Sequence, residues 1–150
     1  MTTADVLSAI VVRPISSDDI SLICDSFARQ LQDEHTALGI RRDDVNVEHR
    51  YRLLNLLARK HGVVATIRGL PNVVGWAIGT DGVLFFAYVK HAFRRWGIAD
   101  KLCVSLEMPL KGLPVVYWTR AAKKIYKKNP GRIIFDWREF NSIKEIKICA

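Results

Sequence analysis

Cysteine is scarce in this sequence: Cys24, Cys103 and Cys149 are odd in number, far apart and never in C-x-x-C spacing. That argues against a disulfide framework or a paired-thiolate zinc site and predicts free thiols in a reducing cytoplasm. Long apolar runs are missing as well. No stretch reaches the roughly 20 residues of a membrane span, and the opening MTTADVLSAIVVRP has neither the basic n-region nor the cleavage site of a secretory signal. Cytoplasmic location is therefore the expectation. Internal repeats, low-complexity tracts and interdomain linkers are also lacking, so the chain reads as a single domain over 1–150, long enough to bury its own core. Acidic residues are the fewer charge, 15 against 23 Lys and Arg, for a formal net charge of +8. Such an excess favours an anionic partner, whether a phosphorylated cofactor, a nucleic acid or an acidic protein. Much of it falls late in the chain, where Lys111, Arg120, Lys123, Lys124, Lys127, Lys128 and Arg132 precede the first acidic residue of that region, Asp136.

What is present is a change of hydrophobic period along the chain. Ile10 to Arg13 reads as a first strand closed by Pro14. Ser16-Ser17-Asp18-Asp19 offers a capping box, and Ile20, Ile23, Cys24, Phe27 and Leu31 continue at helical spacing to about Gln32. Asp33 to Asp44 is polar, contains Gly39 and is expected to be a loop carrying Glu34 and His35. Asn46 can cap a second helix through Tyr51, Leu54 and Leu57, stopped by Gly62.

From there the period is that of strands. Val63 to Ile67 and Val73 to Ile78 flank a five-residue turn-rich link, and Gly79 to Gly82 forms a second turn into Val83 to Val89. That third strand of the meander is apolar on both faces, the mark of a central, covered strand. A helix over Ala99 to Leu106, a short strand at Val115 to Trp118, a helix capped by Thr119, and a strand at Ile133 to Trp137 follow, with Ile143 to Ile148 either an alternating edge strand or a frayed end. The order β-α-α-β-β-β-α-β-α-β predicts an α/β (α+β mixed) domain. Its central sheet of six to seven strands is mixed and mostly antiparallel, with about four helices on both faces and the fourth and fifth strands parallel.

Between the central strand and its following helix lies Arg94-Arg95-Trp96-Gly97-Ile98-Ala99. Amides at a helix start point outward without intrahelical partners, and the helix dipole adds positive potential, so this turn can cradle a pyrophosphate. Small residues at Gly97 and Ala99 let phosphates approach the backbone, while Lys90, Arg94 and Arg95 add charge. The plainer reading is an ordinary strand-to-helix turn.

The R-x-x-G-x-A pattern after an apolar strand resembles the acyl-CoA-binding signature of the GCN5-related N-acetyltransferases, Q/R-x-x-G-x-G/A. The opening V-R-P-I-S-S-D-D-I, the element order along nearly the whole chain, and Thr119 to Lys128 beside the family's N-x-x-A-x-x-L-Y-E-K are similar too. The resemblance implies a GNAT-like fold whose fourth and fifth strands splay to admit the pantetheine arm of acetyl-CoA or another acyl-CoA. It implies that Tyr88 and Val89 offer backbone groups to the arm and the thioester oxygen, and that Arg94, Arg95, Trp96, Gly97, Ile98 and Ala99 grip the pyrophosphate. Thr119 stands where the family commonly has asparagine, which alters one polar contact to the cofactor. Tyr126 would be the general acid that protonates the leaving thiolate, its phenol being neutral at pH 7.

An amine acceptor must also lose a proton. Members of the family often take the base from a carboxylate on or near the fourth strand, and Leu84 to Val89 has none; Glu34, His35, Asp81 and His91 remain as alternatives. The acceptor, small molecule or protein, is not fixed, nucleic acid remains open from the net charge, and so does a homodimer. No membrane partner and no metal are expected. Trp96 either packs under the turn or shields the adenine end. Beside the acyltransferase stand two rivals: a binding module of the same fold without catalysis, and a nucleic-acid-modifying enzyme using another donor.

Overall fold

The computed structural model describes residues 3–37, 54–57, 61–80, 82–109, 111–115, 124–125 and 127–135. Sequence neighbours are sheet neighbours throughout: β1 (Ile10–Pro14), β2 (Gly62–Ile67), β3 (Val73–Thr80), β4 (Val83–Val89), β5 (Leu113–Val115) and β6 (Ile133–Phe135) lie side by side in that order. Pairings up to β4 are antiparallel, and β4 with β5 and β5 with β6 are parallel. Short links dictate the first part. Leu70 N donates to Ile67 O at 2.9 Å in the β2–β3 turn, and Thr80 faces Val83 across the next hairpin, where Gly82 takes φ 75°. A parallel step needs a longer crossover, supplied between β4 and β5 by the helix α3 (Ile98–Ser105).

Ahead of β1 lies a helix that the apolar period does not announce, α1 (Thr3–Ala9). The capping residues then act as expected: the Ser16 amide and hydroxyl donate to the Asp19 carboxylate at 2.9 and 3.0 Å, opening a 3-10 turn over Ser17–Asp19 that runs into α2 (Ile20–Ala37).

Two faces of the sheet are covered by different helices. On one, Ile23, Cys24 and Phe27 of α2 and Leu56 and Leu57 of the helical residues 54–57 pack on Val64, Trp76, Ile78, Phe85 and Phe86. On the other, Ile98 and Leu102 of α3 pack on Ile10, Val63, Ala65, Val74 and Ala77. Two bulges decide which side chains go where. The β2–β3 register jumps from Ala65↔Gly75 to Thr66↔Val73, leaving Val74 as an extra residue turned to the α3 side. The β3–β4 register jumps from Ile78↔Phe86 to Gly79↔Leu84, so consecutive Phe85 and Phe86 both join the α2 core, where strict alternation would separate them. The two-faced burial read for Val83 to Val89 is thereby realised.

Several boundaries differ from expectation for physical reasons. Pro14 belongs to β1, paired with Val63, because an edge strand tolerates the missing donor. The helix α2 continues to Ala37, so Glu34 and His35 lie on its last turns and not in a loop; a helix with one solvated face carries polar residues without ending. β3 extends through Gly79 and Thr80. β5 starts at Leu113 and includes Pro114, earlier than the β-branched run suggested. Leu113 N donates to Arg132 O, so the donor that Pro114 lacks would have faced β4. The cap at Asn46, the ends of the strands expected to reach Trp118 and Trp137, and the tail at Ile143 to Ile148 lie outside the described residues.

Candidate cofactor-binding site

Strand register sets the direction of every backbone group at the end of β4. Lys90 N donates to Val74 O at 2.8 Å, so Lys90 and, two residues earlier, Tyr88 turn their amide and carbonyl toward β3. Ala87 and Val89, between them, turn theirs to the opposite side, where β5 would lie. Yet β4 meets β5 at one paired position, Leu84↔Val115, and no further rung joins them among the described residues. Val89 therefore presents its backbone to the side away from β3, where no described residue pairs with it. The Arg94 Nε donates to the Val89 carbonyl at 2.8 Å, and the same guanidinium lies 5.8 Å from the centre of the Tyr88 ring.

The chain then leaves the sheet through a 3-10 turn, His91–Phe93, and reverses at two residues in the left-handed region, Arg95 at φ 70° and Gly97 at φ 83°. For arginine this conformation is strained, and such strain clusters at binding sites. Its result is a run of outward amides. Among the described residues no backbone or side-chain acceptor takes the amides of Arg95 to Asp100; the next donor, Lys101 N, bonds to Gly97 O at 3.1 Å. Arg94, Arg95, Gly97 and Ala99 are exposed. Trp96 and Phe93 are half-buried against the α3 core, which places the indole under the turn. The amide run with Lys90, Arg94 and Arg95 around it suits a pyrophosphate in donor set and in charge.

The carboxylate closest in sequence to these amides is Asp100, in the first turn of α3, and it is paired with Arg132, the residue before β6. Below it Cys103 is buried; loss of hydration, reinforced by Asp100, pushes its thiol up to about 11, so it stays a neutral thiol at pH 7. Cys24 is likewise buried. No group of His, Cys, Asp and Glu able to hold a metal occurs among the described residues.

Of the residues singled out from sequence, Tyr88, Val89 and Arg94 to Ala99 come together at the end of β4. His91 is exposed on the same connection. Glu34 and His35 are on the last turns of α2. Asp81, Thr119 and Tyr126 lie outside the described residues. Two contacts escaped sequence reasoning, the Arg94 bond to Val89 and the use of Lys101, whose ammonium donates to the carbonyls of Leu7 and Ile10 at 3.1 and 2.7 Å. Spacing places Lys101 on a solvated helix face, and nothing in the pattern marks the carbonyls it reaches.

In fold the chain is similar to solved GCN5-related N-acetyltransferases. A GCN5-related N-acetyltransferase from Rhodopseudomonas palustris matches at 16% identity over 79% of this chain and 79% of its own, with TM-score 0.49. The aminoglycoside N-acetyltransferase AAC(6')-Iy, solved with a bisubstrate CoA analogue, matches at 14% identity over 85% of this chain and 96% of its own, TM-score 0.42. A ribosomal-protein-alanine N-acetyltransferase from Brucella melitensis biovar Abortus 2308 matches at 20% identity over 85% and 78%, TM-score 0.37. No family model and no curated protein matches the sequence. No helix among the described residues is long and apolar enough to cross a membrane.

Proposed function

We propose that this chain is an acyl-CoA-dependent N-acyltransferase of the GCN5-related type, with acetyl-CoA as donor and a direct transfer to an amine. The observation that carries the reading is the end of β4. There a strand whose Val89 backbone turns away from β3 to a side with no pairing among the described residues leads into six consecutive amides, Arg95 to Asp100, likewise without acceptors among the described residues. When bound, acyl-CoA supplies the activated acyl carbon. The chain's own part is to hold and orient. The amides of Arg95 to Ala99, with Lys90, Arg94 and Arg95, hold the pyrophosphate. The Val89 backbone aligns the arm and sets an N–H toward developing negative charge, a role that depends on position and not on side-chain identity.

Proton movement falls to side chains. The Tyr126 hydroxyl serves as the acid, and Thr119 replaces the family's usual asparagine in contacting the cofactor. The base, direct or through water, comes from Glu34, His35, Asp81 or His91. The acceptor is an amine on a small molecule or a protein; the excess of 23 basic over 15 acidic residues favours an acidic protein or nucleic acid near it. We place the enzyme in the cytoplasm.

Calorimetric titration with acetyl-CoA and with CoA tests the reading. Binding is expected, weakened as salt rises, and no binding at millimolar ligand would overturn it. With an acceptor in hand, Tyr126→Phe should lower turnover by about 10²-fold or more, the usual worth of general acid catalysis; unchanged turnover removes Tyr126 from the mechanism. A second reading, a CoA-binding module without chemistry, is favoured by the absence of any carboxylate from Leu84 to Val89. It predicts the same titration with no thioester loss against a panel of amines.

A further inference from the structure

The last three carbonyls of α1 and the first of β1 all receive donors from distant parts of the chain. Leu7 O and Ile10 O accept from Lys101 Nζ at 3.1 and 2.7 Å, Ser8 O accepts from Arg68 Nη2 at 3.5 Å, and Ala9 O accepts from Arg68 N at 2.7 Å. Cations at a helix C-terminus satisfy orphan carbonyls and oppose the negative end of the dipole. Arg68 belongs to the β2–β3 turn. Lys101 belongs to the first turn of α3, and its own amide closes the first helical bond onto Gly97 O. Leu7 touches the turn from the other side: its two methyls lie 3.8 Å from where a Cβ at Gly97 would stand. The helix α1 thus meets the amide run at both its left-handed glycine and its first helical turn.

We infer that Lys101 is a positioning residue for the phosphate turn, fixing the amides of Arg95 to Asp100 by clamping the first turn of α3 to the C-terminal carbonyls of α1. Its ammonium is half-buried and faces carbonyls of α1 and β1, so its charge is committed to the protein. A residue in that position could be mistaken for one more cation around the anion site. Here it works through Gly97 and Leu7, and α1 becomes part of the apparatus that shapes the turn.

The inference rests on the cofactor reading only for its functional consequence, and the test keeps the two apart. Amide hydrogen exchange on the ligand-free chain is compared for the wild type, Lys101→Met, Lys101→Arg and Leu7→Ala. Lys101→Met should speed exchange at Lys101 to Ser105, the hydrogen-bonded amides of α3 that follow the open run, by about tenfold, the equivalent of one charge-assisted hydrogen bond, with β2 and β3 amides unaffected. Lys101→Arg should restore most of the protection. Leu7→Ala alters no charge and should loosen the same amides, which a purely electrostatic role for Lys101 would not produce. Affinity for CoA should fall by a similar factor in Lys101→Met and Leu7→Ala. Exchange at Lys101 to Ser105 that stays at the wild-type rate in both variants overturns the inference. A wild type that ignores CoA overturns the cofactor reading alone, because the exchange comparison is complete without ligand.

Discussion

Asp19 shows how one side chain can close a local structure on all sides. Its carboxylate accepts from both Nη atoms of Arg13 at 2.7 and 2.9 Å and from the Ser16 amide and hydroxyl, while its own residue is 6% exposed. The Arg13 hydrogen bonds hold its pKa below the usual carboxylate range, against the opposing effect of burial. A carboxyl depressed in the folded state contributes stability above its unfolded pKa, about 3.9, and that contribution is lost as pH falls through the folded value. Asp19→Asn should therefore cost about 2 kcal/mol in urea denaturation at pH 7, and the gap to wild type should shrink as pH falls below about 4. A gap independent of pH would mean that the carboxylate's charge is irrelevant to the fold.

At the scale of elements, α2 is tied to the sheet by more than apolar contact. The Trp76 indole N–H donates to Ser26 Oγ at 2.8 Å, joining β3 to α2 at a point where the tryptophan is 1% exposed and the serine 4%. Ser26→Ala would strand a buried donor, and the expected loss is about 1–3 kcal/mol, read from the denaturation midpoint; a neutral result would mean that another acceptor moves in. Legibility from sequence divides along the same line. β2, β3 and β4 were readable because their side chains answer to burial, as was the capping of Asp19 by Ser16. Neither α1 nor the early start of β5 was. The seven residues of α1 are held from outside by Arg68 and Lys101, which no periodicity records, and Pro114 speaks against a strand until its missing donor is seen to face away from β6. In the candidate site Gly97 and Ala99 were visible as small residues at a helix start, whereas the left-handed Arg95 and the Arg94 bond to Val89 depend on a backbone path that residue types do not spell out.

Among the described residues the sheet separates two large cores, one on each face, and that separation is measurable. Phe27 belongs to the α2 side and Leu102 to the α3 side, with the sheet between them. Phe27→Leu and Leu102→Val should each destabilise by about 1 kcal/mol, and the double variant should be additive within about 0.5 kcal/mol. Phe27→Leu with Phe86→Leu should not be additive, since those rings stand edge to face at 5.0 Å; equal coupling in both cycles would mean one continuous core. The sheet also divides in its own plane. β1 to β4 are joined by long antiparallel ladders, β5 and β6 by a parallel one, and among the described residues the two parts meet at the rung Leu84↔Val115. Beneath that rung Cys103, Met108 and Leu113 form a small core of their own. Met108 and Leu113, packed against Leu84 itself, therefore brace the junction of the two plates, so that filling or emptying this small cluster acts directly on how β5 is seated against β4.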